Sequence, residues 1–126
     1  MLRIFSCFLI FLFFSCSKIY VNTEATFSSY YKKKSSKILI DVRTPEEFKS
    51  GQAIEAINID FYNENFETDL LKISRNKEIY LYCRSGRRSG IASQFLIENG
   101  YRNVYNIDGG TIKMDSIYLN SSTFNN

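Results

Sequence analysis

Four short runs, KILIDV (Lys37 to Val42), AINI (Ala56 to Ile59), EIYLY (Glu78 to Tyr82) and NVYNI (Asn103 to Ile107), recur along the chain and are separated by stretches of helical character. The β-branched run KILIDV ends in a polar turn, as a buried strand does. Thr23 to Lys33 reads as a first helix with Thr23 or Asn22 as its N-cap. Thr44-Pro45-Glu46-Glu47 has the form of a helix start, with a capping hydroxyl, a proline at the first position and acids in the first turn; that helix stops near Gly51. Glu64 to Ile73 is expected to be helical with Phe66, Leu70 and Leu71 inward. Ser89 to Asn99 is expected to be helical with Ile91, Ala92, Phe95 and Leu96 on one face and Gly100 as C-cap. Strands alternating with helices at this spacing predict an α/β domain, a parallel sheet covered on both faces. From Ser116 the chain is polar and is expected to fray.

A chain of 126 residues with 44% apolar and 23% charged positions has the composition of one globular domain. The net charge is only +3, with no concentrated basic stripe, so no nucleic-acid partner is expected. The run Lys32-Lys33-Lys34 reads as the solvated end of a helix. Histidine is absent altogether. That removes the commonest general base and the commonest zinc ligand, and no metal site is expected. Catalysis here must rest on a nucleophile activated by its electrostatic surroundings.

The N-terminus reads as an export signal. Arg3 precedes the apolar run Ile4 to Phe14. As a helix that run spans about 16 Å, against roughly 30 Å for a bilayer core, which suits a signal peptide better than a spanning helix. Ser15-Cys16-Ser17 after the run resembles a bacterial lipoprotein signal, which would make residues 1–15 a cleaved leader and Cys16 the lipid attachment site. Ordinary cleavage and an uncleaved anchor are the alternatives. The domain would then occupy 16–115, followed by a polar tail at 116–126, in an exported, periplasmic or membrane-anchored lipoprotein of a bacterium. Its acyl chains would hold it at a membrane surface. Cys7 would leave with the signal and Cys16 would carry lipid, so Cys83 would be the one free thiol.

Cys83 follows the EIYLY strand directly and opens the run CRSGRRSG ahead of a helix. It is therefore expected at the carboxyl end of a central strand, where open α/β sheets place their ligands. The next residues can turn successive N–H groups inward as an anion nest, with Gly86 supplying backbone freedom. The following helix aims its positive end at the same point. Arg84, Arg87 and Arg88 add positive charge, and every one of these effects favours thiolate. A lone strand-end cysteine is otherwise most often a small core residue. Three arginines and a glycine in the next five positions argue against that reading.

CRSGRRSG followed by a helix and then GYRNVYNIDGG resembles the active-site half of a single-domain rhodanese. DVRTPEEF (Asp41 to Phe48) resembles that family's other signature, and the similarity runs from about Tyr20 to Met114. The resemblance implies a rhodanese-like fold, a central, mainly parallel five-stranded sheet flanked by helices on both faces. It implies a sulfurtransferase in which Cys83 carries sulfur as a persulfide, with no other cofactor. The donor would be thiosulfate or a similar sulfur-containing anion, and the acceptor cyanide or a thiol. Arg84, Ser85, Gly86, Arg87 and Arg88 would bind substrate, and Asp41 and Arg43 would support the loop. Gly109-Gly110 matches the closing turn. Where the family has a Gly-His-Ile-Pro-Gly-Ala-like run, this chain has Gly51-Gln52-Ala53-Ile54-Glu55-Ala56, and Met114 stands near the place of a frequent tryptophan. Four residues separate Cys83 from Arg88, one fewer than in the phosphatases of similar arrangement, which favours sulfur over a phosphoryl group. A non-catalytic persulfide carrier or redox partner is the alternative, and a cysteine phosphatase or an arsenate-reductase-like enzyme a lesser one. The oligomeric state is left open.

Overall fold

The computed structural model describes residues 23–120. The leader at 1–15, the proposed lipid site Cys16 and residues 121–126 lie outside the described residues. Five strands, β1 (Thr23–Ala25), β2 (Lys37–Asp41), β3 (Ile57–Asn58), β4 (Glu78–Tyr82) and β5 (Val104–Ile107), form one sheet in the order β1-β5-β4-β2-β3. Every pairing is parallel. Four α-helices connect them: α1 (Phe27–Lys32), α2 (Pro45–Lys49), α3 (Phe66–Leu71) and α4 (Arg87–Glu98). The expected α/β class and both-face coverage hold.

The two-residue period of β4 divides the core. Ile79, Leu81 and Cys83 point toward α3 and α4, where they pack with Ile40, Val42, Phe66, Leu70, Ala92 and Leu96. Tyr80 and Tyr82 point the other way, onto Phe27 and Tyr30 of α1 with Leu39 and Ile107. A strand buried on both faces has no solvent side to mark with polar residues, and for that reason EIYLY reads as continuously apolar after its first position.

Three local expectations need correction. Thr23 to Lys33 is not one helix: Thr23–Ala25 is an edge strand on β5, and α1 starts at Phe27 behind Thr26. Thr26 and Ser29 exchange backbone and side-chain bonds at 3.1 and 3.0 Å, a capping box whose N-cap lies three residues beyond Thr23. Leu71 and Ile91 face solvent, 42% and 48% exposed. The inward stripe of α4 is Ser89, Ala92, Ser93 and Leu96, rotated one position from the expected one, with small residues that let the helix lie close on β4.

The third correction concerns the C-terminal tail. Ser116–Tyr118 forms a 3-10 turn, and Leu119 bridges Ala53. Tyr118 stacks on Tyr31 with centroids 4.8 Å apart. The Tyr118 carbonyl accepts the Ile54 N–H at 2.8 Å, and the Gln52 carbonyl accepts the Asn120 N–H at 2.8 Å. This tail covers the divergent segment Gly51 to Ala56 from outside. From inside, Arg43 donates to the Gly51 carbonyl at 2.7 Å, and the Tyr82 hydroxyl accepts the Ala53 N–H at 3.0 Å.

Candidate active site

Cys83 is the first residue beyond β4, at the carboxyl edge of the sheet, and is 1% exposed. Its chain turns at once into α4, whose N-cap is Gly86 at φ 97°. Gly86 offers no side chain to satisfy the free amides of the first helical turn, and the sulfur takes that place. The Gly86 N–H donates to Sγ at 3.1 Å, and the buried Ser89 hydroxyl lies 3.5 Å from Sγ as a donor. Burial pushes the Cys83 thiol up. The Ser89 hydroxyl and the amides of Ser89, Gly86 and Ser85 outweigh it, so the thiol sits below its ordinary value. The lowering thus comes first from hydrogen-bond donors of the loop and the first helical turn; of the three arginines expected to add charge, Arg88 interacts electrostatically with the sulfur.

The loop is held from two sides. Asn106 of β5 donates to the Gly86 carbonyl at 3.1 Å. After β5, the N–H groups of Thr111 and Ile112 donate to the carbonyls of Cys83 and Arg84 at 3.0 and 3.2 Å. Gly110, at φ 53°, carries the chain directly over this turn. A Cβ there would stand 2.2 Å from the Cys83 carbonyl oxygen, so the position admits only glycine.

The arginines divide by role. Arg84 and Arg87 are exposed beside the half-buried Gly86 and exposed Ser85. Arg88 is tied down: its two terminal nitrogens donate to the two oxygens of Glu47, both at 2.9 Å. Hydrogen bonding from Arg88 lowers the Glu47 carboxyl to about 2, against an opposing burial effect and with help from Thr44. The Tyr62 ring lies 5.8 Å from the Arg88 guanidinium carbon. Asp41 and Arg43 form a buried pair at 2.6 Å below the Gly51 segment, and burial, then Asp41, push the Tyr82 hydroxyl up. Two concavities, of about 340 and 530 Å³, open along the outer side of α4 around Glu67, Ile91 and Phe95 rather than above Cys83.

Glu47, Ser89 and Asn106 therefore join the residues expected from sequence, and Gly110 belongs to the closing turn already expected there. Glu47 was legible as the end of a Thr-x-x-Glu capping box, and it is one: Thr44 N–H donates to Glu47 Oε2 at 2.9 Å. Its second bond, to an arginine 41 positions later, left no local mark.

A family model described as the rhodanese-like domain matches residues 25–114. The "Uncharacterized protein YqhL" of Bacillus subtilis is 40% identical over 88 residues, 70% of this chain and 66% of that protein. A "tRNA uridine(34) hydroxylase" of Buchnera aphidicola is 39% identical over 80 residues, 60% of this chain but only 26% of that protein. A "Sulfurtransferase" of Allochromatium vinosum is 33% identical over 75 residues, 60% of this chain and 68% of that protein. This chain thus spans just under two thirds of the first relative and about a quarter of the second. In fold, the crystal structure of a rhodanese-like domain protein from Staphylococcus aureus superposes with a TM-score of 0.67 at 24% identity, over 78% of this chain and 96% of that one. A parallel sheet ending in a cysteine that caps its own helix, matched by that family model over most of the chain, shows that this protein belongs to the rhodanese-like domain family.

Proposed function

We propose that the protein is a sulfurtransferase that carries a sulfane sulfur on Cys83. The observation that supports this best is the seat of Sγ, which receives the Gly86 amide at 3.1 Å and the Ser89 hydroxyl at 3.5 Å. These donors favour thiolate and, once sulfur is loaded, a persulfide anion. The thiolate attacks the outer sulfur of thiosulfate or a similar donor. The donor's S–S bond breaks and sulfite leaves with the electron pair. Cyanide or a thiolate acceptor then attacks the outer sulfur of the persulfide, and the Cys83 thiolate is released unchanged. Exposed Arg84 and Arg87 draw the anionic donor to the mouth of the loop.

Arg88 also bears on the choice against phosphate chemistry. Its guanidinium is committed to Glu47 rather than free to clamp phosphoryl oxygens. The test is thiocyanate formation from thiosulfate and cyanide by the wild type and by Cys83→Ser. Equal rates in the two proteins, or aryl phosphate hydrolysis that depends on Cys83, would overturn the reading.

A further inference from the structure

We propose that the sheet edge opposite Cys83 is a docking face for an anionic phospholipid surface, so that a membrane-held molecule presents its cysteine loop away from the bilayer. The inference is independent of the sulfur-transfer reading. Because all five strands are parallel, they start on one edge and end, with Cys83, on the other. The loops entering β2, β4 and β5 are stitched together there. Glu78 N–H donates to the Ser36 carbonyl at 3.0 Å, Ile79 N–H to Asn103 at 2.8 Å, and Arg75 to the Asn99 carbonyl at 2.7 Å.

Those loops carry an excess of positive charge. Four lysines lie between 32 and 37, and Arg75, Lys77 and Arg102 join them from positions far along the chain. The same loops hold one carboxylate, Glu78, which Lys33 already occupies at 3.1 Å, and exposed Glu98, the last residue of α4, stands beside them, so the cations remain in excess. Lys37 turns inward onto the carbonyls of Tyr30 and Lys33. Lys32, Lys34, Lys77 and Arg102 are exposed, and among the described residues none has a carboxylate partner. The modest net charge of +3 conceals this clustering, because the folding topology alone brings the three loops side by side.

The approach of the chain identifies the occupant as a membrane. Thr23 enters β1 on this same edge, opposite Tyr105. Immediately upstream, residues 1–22 contain the apolar run Ile4 to Phe14, the cations Arg3 and Lys18, and no acid. A single apolar or acyl anchor binds a bilayer only marginally, and a basic patch beside it supplies the second attachment. A cavity of about 410 Å³ between Thr23, Ile97, Tyr101, Arg102 and Val104 opens next to that entry point, with a cation at its rim.

The test uses the full-length chain and its triple variant Lys34→Gln, Lys77→Gln, Arg102→Gln. Both are titrated with vesicles of phosphatidylcholine alone or with about a third phosphatidylglycerol, the anionic component supplying the field. The wild type is expected to prefer anionic vesicles, and the variant to lose ~5-fold of that preference per cation removed, with binding to neutral vesicles unchanged. A Cys83 alkylation rate equal to the wild type's certifies that the variant is folded. Cys83 on bound protein, followed by mass spectrometry of its own peptide, is expected to react with a membrane-impermeant thiol reagent as fast as in solution. Equal wild-type binding to both vesicles, an unchanged preference in the variant, or shielding of Cys83 on the vesicle would each overturn the proposal. So would a single-stranded RNA that displaces the vesicles at lower concentration, which would assign the face to nucleic acid.

Discussion

Glu47 and Arg88 meet through two parallel hydrogen bonds of 2.9 Å, joining the short helix α2 to the first turn of α4, where the cysteine loop ends. The fork geometry fixes both the angle of the guanidinium and the start of the helix that polarises Sγ. It is an arginine bond that a lysine could not reproduce.

The Glu47–Arg88 pair responds to acid. Glu47 titrates at about 2 in the folded chain, below its ordinary 4.5, so the pair contributes fully above about pH 4.5 and its contribution is lost as pH falls through about 2. Glu47→Gln should therefore cost about 1 kcal/mol near neutrality, since the pair is partly solvated. Melting curves of the two proteins should converge near pH 2. A constant gap down to that pH would show that the charge is not what stabilises.

Ser89 tests the activation of the sulfur. It is fully buried and its hydroxyl lies 3.5 Å from Sγ. Ser89→Ala should shift the pH midpoint of Cys83 alkylation upward while leaving the melting temperature almost unchanged. An unmoved midpoint would assign activation to the amides alone.

The two glycines that shape the loop should differ in kind. At Gly110 a Cβ meets backbone at 2.2 Å, whereas at Gly86 the nearest atom is 3.6 Å away and only the φ of 97° resists. Gly86→Ala is expected to cost roughly 1–2 kcal/mol, the ordinary penalty of left-handed backbone. Gly110→Ala should cost more, because the overlap forces the closing turn off the loop. Chemical denaturation ranks them, and the reverse order would contradict the geometry.

Glu55 is the one residue other than glycine at positive φ among those described, at 68°. It occupies the place of a glycine in the family-like run. Glu55→Gly should stabilise the fold by ~0.5–1 kcal/mol by relieving that strain, part of which returns as unfolded-chain entropy. A loss of stability would mean that Glu55 makes a compensating contact.

How far the sequence carried depends on where each element gets its information. The bounds of β4 and the start of β2 follow from their own residues, since a strand buried on both faces must be apolar throughout. Gly86 was legible for a similar reason, because the turn into α4 needs a residue free at φ 97°, and Cys83 was legible from the arginines and glycine that follow it. β1 was not legible, because Thr23–Ala25 is exposed along most of its length and becomes a strand only through the free edge of β5. The tail was misread likewise. Tyr118 stands in a stretch that reads as polar, and its meaning comes from Tyr31, 87 positions earlier by number, with which it stacks. The clamp on Arg88 and the convergence of basic loops are products of topology.

Whether Cys83 carries sulfur is read from the mass of the protein after incubation with thiosulfate. One sulfur atom should be added, it should map to the peptide containing Cys83, and cyanide should remove it with release of thiocyanate. A Cys83 that stays unmodified under conditions in which it alkylates readily would show that it does not carry sulfur.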